Sequence, residues 1–188
     1  LYNELVEMPT DYFTGEDKIL DGNRSAGKSL YDFYMREWAG VNPATGQAMY
    51  NLYYDDMNND GIFNSGDSAI NSMTLYMDEF PGANVQKTTT ETYSDATQKY
   101  VGKNNQPDFA GGFRLNAAYK NFDISAQFTY SIGGYVYDNG YRTVMNNRSL
   151  AGSDNFHTDV RNAWKQPGDI TNVPRLSAGY NTDVQHNS

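Results

Sequence analysis

The stretch FRLNAAYKNFDISAQFTYSI, residues 113–132, decides the fold. Phe113, Leu115, Ala117 and Tyr119 alternate with Arg114, Asn116, Ala118 and Lys120. After Asn121, Phe122, Ile124, Ala126, Phe128, Tyr130 and Ile132 alternate with Asp123, Ser125, Gln127, Thr129 and Ser131. A period of two is the signature of β-strands. A tight turn at Lys120-Asn121 places Tyr119 opposite Phe122, Ala117 opposite Ile124, Leu115 opposite Ala126 and Phe113 opposite Phe128. Both strands then show their apolar residues on one side, so the register is self-consistent. Strands of about ten residues with one apolar and one polar face fit a hairpin of a transmembrane β-barrel.

Composition agrees with that reading. The chain has 188 residues, 38% hydrophobic, with 16 Tyr and 9 Phe, and its mean hydropathy is −0.74. Much of its apolar surface is therefore carried by aromatic rings, which suit a membrane interface. No apolar run is long enough for a membrane-spanning helix, which leaves a barrel open because strands carry a weaker signal. The net charge of −9 argues against nucleic acid, which asks for a basic surface, and suits divalent cations. With no cysteine, neither disulfides nor thiolate metal sites can form.

Outward from the hairpin the pattern is strands, one tight turn and long polar connections. Residues 30–41 and Ala48–Tyr54 read as two strands joined by Asn42-Pro43-Ala44-Thr45-Gly46, in which Pro presets φ and Gly supplies a left-handed position. A helix over Ser29–Trp38 is the alternative, because Leu30, Phe33, Tyr34 and Trp38 also fit helical spacing. Residues 71–99, with a Thr/Ser-rich run from Lys87 to Thr97, read as a long loop, as do residues 138–187. Tyr119 and Phe122 at the turn end, and Phe109, Tyr130 and Tyr135 at the other, are placed as girdle residues; sugar-stacking platforms are the competing reading.

Two motifs carry potential chemistry. Gly22-Asn23-Arg24-Ser25-Ala26-Gly27-Lys28-Ser29 matches a phosphate-loop pattern. The flanking sequence lacks the buried parallel strand before it and the helix after it, so it reads as a turn. Asp56-x-Asn58-x-Asp60-Gly61-Ile62-x-Asn64-x-x-Asp67 follows the spacing of an EF-hand calcium loop. Oxygens of Asp56, Asn58 and Asp60 would converge, Gly61 permits the bend, Ile62 offers its carbonyl, and Asn64 and Asp67 complete the set. The competing reading is an Asx-rich turn without metal. His157 and His186 have no ligand spacing, and there is no nucleophile elbow or zinc-protease motif, so the chain is not read as an enzyme.

Several segments resemble the barrel region of the SusC/RagA family of TonB-dependent outer-membrane transporters of Bacteroidota. They are Gly27 to Tyr34, Trp38 to Gly46, the acidic turn Asp56 to Asp67, Tyr100 to Lys103, Pro107 to Phe113, Tyr119 to Ser125, Trp164 to Asp169 and Val173 to Leu176, in the family's order. The resemblance implies import of oligosaccharides or peptides, a SusD-like surface lipoprotein as lid, and TonB acting through a plug region that this chain lacks, together with the final strands of the barrel.

The expectation is therefore an all-β fold, an antiparallel transmembrane β-barrel segment with long extracellular loops. Residues 1–188 form part of one barrel domain located in the outer membrane, with no required cofactor beyond a candidate Ca2+. Phe113, Leu115, Ala117, Phe122, Ile124, Ala126 and Phe128 are expected to face lipid. Arg114, Asn116, Asp123, Ser125, Gln127 and Thr129 are expected to face the lumen. The loops 71–99 and 138–176 are expected outside the cell. A soluble, calcium-stiffened glycan-binding β module is the alternative; it requires a second sheet packed on the Phe113 face.

Overall fold

The computed structural model describes residues 3–10, 24–145 and 155–176. Its strands are β1 (Asp32–Arg36), β2 (Trp38–Val41), β3 (Ala48–Asp55), β4 (Ser68–Ile70), β5 (Val85–Thr90), β6 (Gln98–Asn104), β7 (Phe109–Tyr119) and β8 (Phe122–Ile132). Two short helices, α1 (Met73–Glu79) and α2 (Asn139–Met145), and two 3₁₀ turns complete it. No helix among the described residues is long and apolar enough to cross a membrane. The described residues divide into two compact units, residues 3–10, 24–33 and 102–136 in one and 34–101, 137–145 and 155–176 in the other.

The smaller unit is built on the hairpin. β7 and β8 pair antiparallel over eleven positions, from Phe109↔Ile132 to Tyr119↔Phe122, with Phe113↔Phe128, Leu115↔Ala126 and Ala117↔Ile124 between. This is the register expected from the alternation. Lys120 takes the left-handed conformation that the tight turn demands (φ 55°). At the open end, the Tyr135 amide donates to the Asn104 carbonyl (2.8 Å) beyond the last paired residues. The chain thus enters β7 and leaves β8 at the same end. No closed barrel is formed by the described residues; the strands group into sheets of two, four and two.

The larger unit is organised around β3, which pairs with β2, β4 and β5. Of the hairpin expected between residues 30–41 and Ala48–Tyr54, only the part from Trp38 onward forms: Trp38↔Tyr50, Gly40↔Met49 and Val41↔Ala48 are partners, with a bulge between Trp38 and Gly40. The helical alternative for residues 29–38 is not adopted; β1 pairs with β6 instead. The turn closes through the Gly46 amide on the Asn42 carbonyl (2.7 Å), with Gly46 left-handed (φ 73°). Tyr50 forms the centre of the core with Ala48 and Ala96, with Trp38 and Tyr93 packed against them edge-on. Thr97 pins β3 to β4: its hydroxyl accepts from the Tyr53 amide (2.8 Å) and donates to the Ile70 carbonyl.

Residues 71–99 are not one long loop. They hold α1, β5, a 3₁₀ turn and the start of β6, and β5 pairs with β3 along Tyr50↔Thr90 to Asp55↔Val85. Its Thr run is polar in composition, but β-branched side chains favour the pleated conformation, and an open edge of β3 was there to receive it. Residues 138–176, also read as loop, contain α2 and a 3₁₀ turn at Thr158–Asn162 but no strand among the described residues.

Candidate functional site

The hairpin presents both of its faces to the surroundings. Phe113, Leu115, Ala117, Phe122, Ile124 and Phe128 are all exposed, Phe122 to 74% and Ile124 to 68%, and Ala126 alone on this face is partly covered. Phe113 and Phe128 stack across the strands with centroids 4.8 Å apart, the cross-strand contact that this register allows. On the opposite face Arg114 Nε donates to Ser125 Oγ (3.0 Å), and Ser125 Oγ donates to Asn116 Oδ1 (2.9 Å). Asp123, Gln127 and Thr129 share that face and are exposed. Among the described residues no second sheet covers the Phe113 side, as the soluble-sandwich alternative would require.

The rings expected at the two ends are also exposed. Tyr119 and Phe122 flank the turn as a directly opposed pair, and Phe109, Tyr130 and Tyr135 lie toward the open end. Tyr130 covers Gly111 so closely that a Cβ there would lie 2.7 Å from its hydroxyl. A glycine thus makes room for the ring on the neighbouring strand.

The acidic turn joins β3 to β4, whose ends pair as Asp55↔Ser68. It is flanked by strands, not by the helices of an EF-hand. Asp56 is buried, and its carboxylate accepts from the amides of Asp60 (3.1 Å) and Gly61 (2.9 Å). Asn59 and Gly61 adopt positive φ (58° and 71°), which bends the chain back over Asp56. Asp60 Oδ1 accepts from the Ile62 amide (2.7 Å) and Asp67 Oδ2 from the Asn64 amide (2.8 Å). Carboxylate oxygens of Asp56, Asp60 and Asp67 lie within 4.8 Å of one another. Burial, then the charges of Asp56, Asp67 and Asp60, raise the pKa of the neighbouring Tyr54 phenol.

The remaining motifs are structural. Of the phosphate-loop pattern, Gly22 and Asn23 fall outside the described residues. Ser25 to Lys28 form a turn closed by the Lys28 amide on the Ser25 carbonyl (3.2 Å), and a strand, not a helix, follows. His157 is exposed and caps a 3₁₀ turn, accepting from the Asp159 amide at Nδ1 (3.2 Å); His186 lies outside the described residues. Sequence reasoning missed a latch among three of the family-like segments. Trp164 Nε1 and the Gly168 amide both donate to the Pro43 carbonyl (2.9 Å each), and the Arg175 amide donates to the Gly46 carbonyl (2.8 Å). A Cβ on Gly46 would lie 2.4 Å from the Trp164 ring. The sequence signal was that all three segments belong to the same ordered series.

The hairpin is thus an amphipathic strand pair in which no residue of either face is buried. No protein-family model matches the chain. Among curated proteins it is 27% identical over 175 residues to TonB-dependent receptor P3 of Formosa agariphila, covering 92% of this chain and 16% of that protein. It is 33% identical over 81 residues to TonB-dependent receptor P39 of the same organism, covering 43% of this chain and 8% of that protein. Among solved structures it matches the RagAB peptide transporter with a TM-score of 0.56 and 24% identity, covering 95% of this chain and 17% of that one. The fold is therefore that of a segment of a TonB-dependent transporter, and the relatives are receptors and transporters, not enzymes. Sequence and structural likeness together bear out the resemblance to the SusC/RagA type. The chain spans about a sixth of the length of these relatives.

Proposed function

We propose that the full-length protein is an outer-membrane importer driven through TonB, and that β7 and β8 form part of its barrel wall. The observation that carries this is the uncovered apolar face of the hairpin. An isolated two-stranded sheet with such a face is marginal in water, whereas lipid accepts it and adjacent barrel strands satisfy its edges. Ten residues tilted about 40–45° rise roughly 25 Å, the height of an outer-membrane apolar band. Phe113, Leu115, Ala117, Phe122, Ile124, Ala126 and Phe128 then face lipid. Arg114, Asn116, Asp123, Ser125, Gln127 and Thr129 face the lumen. With the Lys120-Asn121 turn on the periplasmic side, the connections 71–99 and 138–176 lie outside the cell.

The cargo in this reading is an oligosaccharide or a peptide, captured beneath a SusD-like lipoprotein. The likeness to the RagAB peptide transporter favours the peptide part of this reading, and the lipoprotein part rests on the resemblance to the SusC/RagA type. The test is to fractionate cells making the full-length protein, then follow uptake of labelled peptides and oligosaccharides with the lipoprotein or TonB deleted. Recovery with the outer membrane in a detergent-requiring form, with uptake lost in both deletions, is expected. A protein that is soluble without detergent would overturn the proposal.

A further inference from the structure

The β3–β4 turn concentrates more negative charge than a strand connection needs. Asp56, Asp60 and Asp67 bring carboxylate oxygens within 4.8 Å of one another, and Asp56 is only 3% exposed. Like charges this close, partly removed from water, repel unless a positive group stands among them. Two amides partly serve: Asn58 Nδ2 and Asn64 Nδ2 both donate to Asp60 Oδ2 (3.0 and 2.9 Å). The oxygens of these amides accept from the backbone of the same turn, Asn58 Oδ1 from the Asp60 amide (3.0 Å) and Asn64 Oδ1 from the Gly66 amide (2.8 Å), so offering an oxygen to a cation means exchanging those bonds.

A separate observation asks for a ligand. Asp67 Oδ1 is buried and has no hydrogen-bond partner, although Oδ2 of the same carboxylate accepts from the Asn64 amide. A buried anionic oxygen without a partner is costly, and the protein supplies none. The donor set is entirely oxygen, which suits a hard divalent cation and not zinc or copper. We propose that this turn binds Ca2+ through Asp56, Asn58, Asp60, the Ile62 carbonyl, Asn64 and Asp67. The short Asp67 side chain places the affinity in the weak range of extracellular modules, roughly 10⁻⁴–10⁻³ M. Binding would fix the bend that holds Phe63 against Tyr54, whose rings lie 5.0 Å apart. The site does not depend on the transporter reading.

Terbium luminescence on the full-length protein tests it, because Tyr54 borders the carboxylates and can sensitise the ion. The expected result is a tyrosine-sensitised signal that millimolar Ca2+ displaces, that Tyr54→Phe dims, and that Asp60→Asn weakens at least about tenfold in affinity. Asp60→Asn keeps the acceptor for the Ile62 amide while removing the charge. Asp67→Glu, with a longer arm able to bind in bidentate fashion, should tighten binding, a gain that loss of folding cannot imitate. A signal that Ca2+ does not displace, or one indifferent to both Asp60→Asn and Asp67→Glu, would overturn the proposal.

Discussion

The two units of this chain treat their aromatic residues in opposite ways. The larger unit turns its central rings inward: Tyr50 is fully buried, Tyr54 nearly so, and Trp38 and Tyr93 close around Tyr50, while Phe63 and Phe80 stay at the surface. The hairpin turns every ring outward, and its eleven-residue strands bury none of their residues. On the proposed function the same kinds of side chain serve two solvents. Where rings meet one another they build a core for water; where they stand uncovered in a single row they make a surface for lipid.

Substitutions that act on only one side of this contrast test it. The largest effect is expected from Tyr50→Ala, which should cost about 3–5 kcal/mol by opening a cavity in the larger unit. Near-ultraviolet circular dichroism would report it. Next, Ile124→Arg in the full-length protein should cost about 2–4 kcal/mol in a lipid refolding titration, and Ser125→Arg much less, although the two are neighbours. Equal costs would erase the distinction between the faces. Gly46→Ala should cost about 1–2 kcal/mol from its left-handed backbone alone, and it must also displace the Trp164 ring. A change in tryptophan emission would show that displacement. Lys120→Gly should be stabilising by about 1 kcal/mol, because glycine relieves the positive φ of the turn.

The smallest effect concerns pH and belongs to the larger unit alone. Tyr54 and Tyr141 have raised phenol pKa values, chiefly through burial, then through nearby carboxylates. For Lys99, burial lowers the pKa, but the hydrogen bond to Tyr53 and the charge of Glu37 outweigh it, and the net shift is upward. Each group holds its proton more tightly in the folded state. Their stabilisation is therefore present below the unfolded values of 10.0 and 10.5 and is lost as pH rises through the folded ones. A denaturant midpoint that falls only above about pH 10 is the expected outcome, and Lys99→Met should flatten part of that slope.

The hairpin was legible because its information is local. Each residue from Phe113 to Ile132 declares its face through its neighbours, and a wrong register would have mixed Arg114 with Leu115. The turn at Asn42–Gly46 was legible for the same reason. The strand at Val85–Thr90 was not, because Lys87 to Thr90 looks like a polar linker until β3 offers it a ladder. Contacts distant in sequence were beyond reach altogether: nothing around Trp164 announces that its indole rests on Gly46. The acidic turn lies between these cases. Its spacing foretold converging oxygens, but the buried, unpartnered Asp67 Oδ1 could only be seen in three dimensions.

The central claim is that one face of the hairpin meets lipid and the other water. This chain has no cysteine of its own, so Ile124→Cys and Ser125→Cys can each carry an environment-sensitive fluorophore in the full-length protein, with any cysteine elsewhere replaced by serine, reconstituted into bilayers. Quenching of position 124 by a lipid-borne quencher and of position 125 by aqueous iodide is the predicted result. The same quencher acting on both positions, or the reverse pattern, would contradict the account.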